Sequence, residues 1–122
     1  MSFSRMVTST TAALMLMLSL ASPVLGHAIV IDSTPKAGST LPAGPFEIAI
    51  RFNSRIDVGR SSLTILDAER RVTTLSVKPT TEPDLLLGLG PPLAPGKYRI
   101  RWQVLALDGH ITRGDISVSV LP

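Results

Sequence analysis

Apolar and polar side chains alternate along much of the chain from residue 28 onwards. The alternation is clearest over residues 46–52, 97–104 and 116–120. Side chains two positions apart share a face in extended backbone, so the pattern predicts β-strands with one buried face. The predicted inward positions are Phe46, Ile48, Ile50 and Phe52 in the first of these segments, and Tyr98, Ile100, Trp102 and Val104 in the second.

Shorter segments carry weaker signals of the same kind. Residues 28–31, 62–66 and 72–77 are predicted strands, and the last two are expected to form a hairpin across residues 67–70. A helix over residues 66–71 is the alternative, but it would have only about two turns and β-branched flanks.

Turn-forming residues separate the predicted strands. Proline, glycine and polar residues predict loops over residues 33–39, 78–84 and 88–96, whereas residues 85–87 form an apolar patch too short to classify. About seven short strands with no convincing helix indicate an all-β fold, a small antiparallel Greek-key β-sandwich of immunoglobulin-like or cupredoxin-like type. A chain of 122 residues allows one such domain.

The first 26 residues have a different character. Arg5 precedes an uncharged stretch over residues 6–21, and residues 22–26 form a turn that ends in Gly26. This order is typical of a secretory signal peptide cleaved after Gly26, which would leave residues 27–122 as an exported domain without a membrane span. A membrane anchor is the alternative, but the mostly apolar part, residues 12–21, is about half the length that a bilayer requires.

Composition excludes several classes of function. The net charge of +3 is small and the basic residues are scattered along the sequence, which argues against nucleic-acid binding. The chain has no cysteine, so disulfides, thiolate zinc sites and thiol catalysis are excluded. Any bound metal must therefore be held by nitrogen and oxygen ligands.

The chain contains only two histidines, His27 and His110, and Asp108 stands two positions before the second. Asp108 and His110 can face one point in extended backbone, with Gly109 allowing a bend between them. If cleavage follows Gly26, the free amine and imidazole of His27 add two nitrogens. Three nitrogens and one oxygen suit Cu(II) best, and zinc is a weaker fit.

The Asp-Gly-His segment alone is also explained as an ordinary surface turn. The placement of the other histidine at the predicted mature terminus favours a metal site. The two histidines would meet if the first strand and the strand after His110 lie beside each other at one end of the sandwich.

Several motifs together resemble the CopC family of periplasmic copper-resistance proteins. They are His-Ala at 27–28, Ser-Thr-Pro-Lys-Ala-Gly-Ser at 33–39, Phe-Asn-Ser at 52–54, Pro-Gly-Lys-Tyr-Arg-Ile-Arg-Trp at 95–102, and Leu-Asp-Gly-His-Ile-Thr-Arg-Gly at 107–114. The resemblance covers essentially the whole predicted mature chain. It implies a β-sandwich that binds one Cu(II) ion per mature chain through His27, Asp108 and His110.

The sequence departs from some family members in two places. Some members have a glutamate after the Phe-Ser pair as a further weak ligand, and here Ser54 occupies that position. Others bind Cu(I) through a methionine-rich segment. All four methionines of this chain lie within residues 1–17, so no Cu(I) site is expected.

The resemblance implies a non-catalytic, monomeric Cu(II) carrier that passes the ion to a CopD-like inner-membrane protein, with no catalytic or organic-cofactor residues. The arrangement in which the amine and imidazole of a terminal histidine hold copper together with a second histidine is called a histidine brace. It resembles the site of copper oxygenases that attack polysaccharides, and such an enzyme is one alternative. It would need an open axial position and exposed aromatic side chains, and the few aromatics are mostly predicted to be core. A metal-free interaction module, with His27 and His110 apart, is the other alternative.

Overall fold

The computed structural model describes residues 28–122, so the predicted signal peptide and His27 lie outside the described residues. Within this range the chain forms nine strands and no helix. The strands are β1 Val30–Thr34, β2 Ser39–Leu41, β3 Phe46–Phe52, β4 Ile56–Leu66, β5 Val72–Thr74, β6 Ser76–Lys78, β7 Leu85–Gly90, β8 Gly96–Ala106 and β9 Ile111–Val120. In residues 28–122, accordingly, no helix has the length and apolar character needed to cross a bilayer.

The strands form two sheets that pack face to face. One sheet has the order β1-β3-β7-β6 and the other has the order β2-β9-β8-β4-β5. All neighbouring strands are antiparallel except β2 and β9, which pair in parallel over three residues of each strand. The predicted all-β sandwich is confirmed, with two more strands than expected and one short parallel pair.

The core lies between the sheets and contains every inward position that the alternation predicts except Tyr98. Phe52 of β3 is 1 % exposed and Trp102 of β8 is 7 % exposed. Their ring centroids are 5.2 Å apart with an interplanar angle of 72°, an edge-to-face contact that joins the two sheets. Tyr98 is only half-buried, and its hydroxyl donates a hydrogen bond to the carbonyl of Ala94.

The single strand predicted over residues 72–77 is wrong. The segment forms β5 and β6, which belong to different sheets. The chain crosses between the sheets at Leu75, which is buried and donates its N–H to the carbonyl of Leu63. Two adjacent polar residues, Thr73 and Thr74, shift the phase of the apolar–polar alternation just before the crossing, and this shift is the sequence signal of an irregularity in the predicted strand.

The loop predicted over residues 88–96 begins too early, because β7 extends through Gly90. A Cβ at Gly88 would lie 2.3 Å from Cδ1 of Leu63, and a Cβ at Gly90 would lie 2.1 Å from the ring of Phe46. These glycines therefore serve close packing inside a strand, a role that sequence alone does not distinguish from that of turn glycines.

Candidate metal centre

Asp108 and His110 lie in the turn that connects β8 to β9. The N–H of Ala106 donates to the carbonyl of His110 over 2.8 Å, and the N–H of Gly109 donates to the carbonyl of Ala106 over 2.9 Å. Gly109 has a φ of 92°, a left-handed conformation that glycine adopts without steric cost. The turn thus sets the positions of both predicted ligands at the end of a long hairpin.

The carboxylate of Asp108 contacts both the backbone and the ring of His110. Its Oδ1 accepts the backbone N–H of His110 over 3.1 Å, and its Oδ2 lies 2.9 Å from the ring nitrogen Nδ1. The 2.9 Å separation is that of a direct hydrogen bond or ion pair between the two side chains. The two side chains are 31 % and 60 % exposed, and solvent can reach them.

The third predicted ligand, His27, lies outside the described residues. Among residues 28–122, no three histidine, aspartate or glutamate side chains group closely enough to hold a metal ion. The structure therefore brings together two members of the predicted ligand set. The participation of His27 stays a prediction.

The backbone that follows His27 is attached to the connection between β3 and β4. The N–H of Ile29 donates to Oδ1 of Asn53, and the N–H of Asn53 donates to the carbonyl of Ile29, both over 2.8 Å. Ala28, the first described residue, is 1 % exposed. The start of the described chain is therefore held against the sandwich by two hydrogen bonds.

Strand pairing places this attachment at the same end of the sandwich as the Asp108–His110 turn. Ile56, which follows the β3–β4 connection, pairs with Ala106 at the end of β8. The sequence analysis expected the two histidines to meet if the first strand lay beside the strand after His110. These two strands do not pair with each other. The first strand β1 pairs with β3, whereas β9 lies in the other sheet.

Two buried hydroxyls lie at this end of the molecule. The Oγ of Ser54 and the Oγ1 of Thr112 are inaccessible to solvent and have no hydrogen-bond partner within the described part of the chain. Thr112 pairs with Val104, its hydroxyl faces the interior, and it stands two residues after His110 of the β8–β9 turn. Sequence analysis missed Thr112. The available signal was the inward series at 116 and 118, extended backwards along β9.

We expect Thr112→Val to stabilise the fold by about 1 kcal/mol, since it replaces an unpartnered buried hydroxyl with a methyl group of the same shape. Chemical denaturation of the two proteins measures the difference. The matched control is Thr74→Val, the same change at an exposed strand position, which should alter stability by less than about 0.5 kcal/mol. A loss of stability in Thr112→Val would show that the hydroxyl is hydrogen-bonded in solution.

Three large apolar side chains are exposed at the same end. Ile29, Leu107 and Ile111, which we call the apolar rim, are 59 %, 63 % and 55 % exposed. Leu107 and Ile111 flank the two predicted ligands in sequence, and Ile29 follows His27 by two positions. The candidate centre therefore has apolar surface beside its polar donor atoms, as surfaces that contact other proteins often do.

Comparison with known protein families gives a match to the CopC domain over residues 30–121. Protein YobA of Escherichia coli strain K12 is 31 % identical over 106 residues, which cover 84 % of this chain and 86 % of YobA. The copper transport protein CutJ of Bacillus subtilis strain 168 is 27 % identical over 97 residues. That match covers 77 % of this chain but 18 % of CutJ.

Solved structures show the same fold. CopC from Methylosinus trichosporium OB3b superposes with a TM-score of 0.72 at 31 % identity, covering 79 % of this chain and 95 % of that chain. PcoC, a methionine-rich copper resistance protein from Escherichia coli, superposes with a TM-score of 0.62 at 25 % identity and covers 77 % of this chain and 98 % of its own.

Proposed function

Because the chain belongs to the CopC family of copper-resistance and copper-transport proteins, we propose that it is a periplasmic Cu(II) carrier. Its mature form, residues 27–122, binds one ion through the amine and imidazole of His27, the carboxylate of Asp108 and the imidazole of His110. It has no catalytic residue and acts as a monomer.

The observation that carries this proposal is the contact of the Asp108 carboxylate with the His110 imidazole, 2.9 Å apart, at the exposed end of the β8–β9 hairpin. The attachment of Ile29 to Asn53 supports it, because the two hydrogen bonds hold the residues after His27 at that same end. A terminal amine, two imidazoles and a carboxylate form a donor set of the hardness that Cu(II) prefers.

The choice of Cu(II) over Cu(I) rests on composition. Cu(I) favours thiolate and thioether ligands. The chain has no cysteine, and all of its methionines precede the predicted cleavage point after Gly26. In this respect it differs from PcoC, which is described as methionine rich.

A carrier fits the surface better than an oxygenase does. An enzyme that attacks polysaccharides needs exposed aromatic side chains on which sugar rings can stack. Of the aromatic residues in the described range, Phe46, Phe52 and Trp102 are buried, and Tyr98 is half-buried with its hydroxyl bonded to Ala94.

A carrier needs a recipient for its ion, and the recipient in this proposal is a CopD-like inner-membrane protein. CutJ supports the idea, because a segment similar to this chain occupies 18 % of that copper transport protein. The apolar rim beside the candidate centre is the surface through which the recipient would approach the ion.

The test is a Cu(II) titration of the protein that begins at His27, followed by electron paramagnetic resonance of the complex with one equivalent. We expect a single tight site with a tetragonal signal and nitrogen hyperfine coupling. Anaerobic titration with Cu(I) is the control, and it should show only weak binding. Several weak Cu(II) sites without a defined signal would contradict the proposal and favour a metal-free interaction module.

A further inference from the structure

A positively charged groove crosses the outer face of the five-stranded sheet. Lys97, Arg99 and Arg101 alternate with inward side chains along β8, so all three project from this face. Arg70 approaches them from the turn between β4 and β5. These four residues line an open cavity of about 890 Å³, which we call the cationic groove.

The excess positive charge of the described chain is concentrated in the groove. Residues 28–122 have eleven basic and nine acidic side chains, a net charge of +2. Four basic side chains and Asp67 line the groove, and Asp115 pairs with Arg101 beside them, which gives a net charge of +2. The remaining surface is therefore neutral overall. Basic residues that look scattered in the sequence are gathered on one face by the alternation of β8.

Two of the four cations have no ion-pair partner within the described range, namely Arg70 and Lys97. Arg101 is engaged with Asp115, which accepts hydrogen bonds from Nε over 2.9 Å and from a terminal nitrogen over 3.3 Å. The hydrogen bond from Arg101 lowers the pKa of Asp115. Arg99 lies 4.0 Å from the same carboxylate, too far for a hydrogen bond.

The turn that presents Arg70 is held by Asp67. Oδ1 of Asp67 accepts the N–H groups of Glu69 and Arg71, each over 2.9 Å. The carbonyl of Asp67 accepts the N–H of Arg70 over 3.0 Å, and Arg70 has a φ of 63°. These hydrogen bonds fix the backbone of the turn, and they therefore fix the position of the Arg70 Cα at the wall of the groove.

We propose that the cationic groove binds an extended acidic segment of a partner protein. Alternate residues of β8 are about 6.6–6.8 Å apart, and carboxylates at alternate positions of an extended peptide have that same spacing. A phosphate group would instead require cations that converge on one point. The hydroxyls of Ser117 and Ser119, next to Arg99 and Lys97 on β9, offer additional hydrogen bonds.

The groove is distant from the candidate metal centre. Arg101, the groove residue nearest to that end of β8, precedes Ala106 by five residues, which is about 17 Å of extended strand. A segment bound in the groove would therefore leave Asp108 and His110 accessible. The proposal does not depend on copper binding, and either one can fail without the other.

The experiment uses two synthetic peptides of identical composition and charge. In one, glutamate alternates with threonine, and in the other the glutamates form one block. We expect the alternating peptide to bind more tightly in isothermal titration calorimetry at low salt, and its affinity to fall as salt screens the charges. Equal affinity for both peptides would overturn the match of spacing on which the proposal rests.

Charge reversal locates the binding. Lys97→Glu and Arg99→Glu should each weaken binding of the alternating peptide about tenfold, because a like charge then faces the carboxylates. The matched control is Lys78→Glu on β6, in the other sheet, which should leave affinity unchanged. Cu(II) binding should be the same in all three variants.

Two further probes test other anions. If inorganic phosphate or phosphatidylglycerol vesicles bind and the alternating peptide does not, the groove is a binding site for phosphate groups and the proposal is wrong. It is equally wrong if Lys78→Glu weakens peptide binding as much as the two groove variants do.

Discussion

Adding one residue ahead of His27 is expected to lower the Cu(II) affinity of the mature protein by about a hundredfold or more, because it removes one nitrogen ligand of the proposed site and the chelate ring that this nitrogen would close. In the extended chain the amine of His27 becomes an amide, which is a poor ligand unless it loses its proton. The imidazole of His27 is unchanged. Competition titration against a chelator of known affinity measures the loss.

The matched control adds the same residue after Pro122, which should leave affinity unchanged. His110→Ala should weaken binding to a similar degree, since it removes another nitrogen of the proposed set. Unchanged affinity in the amino-terminally extended protein would remove the amine of His27 from the site. A strong effect of His110→Ala in that case would leave a simpler site built around the β8–β9 turn.

Phe52→Ala should destabilise the fold by about 3–5 kcal/mol, the usual range for removing a buried aromatic side chain. Phe52 is 1 % exposed, and its ring makes an edge-to-face contact with the ring of Trp102 in the opposite sheet. Truncation leaves a cavity at the contact between the sheets and removes the aromatic pair. Urea unfolding followed by circular dichroism measures the change in free energy.

Two controls separate cavity formation from general disturbance of β3. Phe52→Leu retains most of the apolar volume and should cost about 1 kcal/mol. Glu47→Ala changes an exposed position of the same strand and should stay within about 0.5 kcal/mol. A loss below about 1 kcal/mol in Phe52→Ala would show that the core closes around the missing ring.

Period-two patterning was sufficient where a strand is long and has one buried face. β3 has the predicted bounds, and Ile100, Trp102 and Val104 of β8 are buried as expected. The pattern failed where the decision depended on contacts distant in sequence. At Leu75 the chain changes sheets. The adjacent polar residues Thr73 and Thr74 shift the alternation just before it, but only the pairings of β5 with β4 and of β6 with β7 show that the two strands belong to different sheets.

The prediction of a loop at Gly88 and Gly90 is wrong for a related reason. Gly88 and Gly90 were assigned to a loop because glycine is common in turns, but their neighbours Leu63 and Phe46 occupy the space that a side chain would need. Those neighbours are distant in sequence. Only the packed structure shows that a missing side chain is a requirement of the core.

The candidate centre was predictable to different extents. The spacing of Asp108 and His110 indicated that both can face one point, and the turn places their side-chain atoms 2.9 Å apart. The inward series at 116 and 118, extended backwards along β9, places Thr112 on the inner face, but the lack of a hydrogen-bond partner for its hydroxyl depends on residues distant in sequence. The shared face of Lys97, Arg99 and Arg101 follows from the alternation of β8, but the approach of Arg70 to them depends on the β4–β5 hairpin and was not predictable.

The burial of Trp102 also makes its fluorescence a probe of the folded state. It is the only tryptophan in the chain, it is 7 % exposed, and its indole occupies the space above Gly114, between β9 and the ring of Phe52. Its fluorescence therefore arises from a single position at which both sheets meet. Separation of the sheets exposes that indole to water, so one emission spectrum reports whether the two halves of the sandwich are in contact.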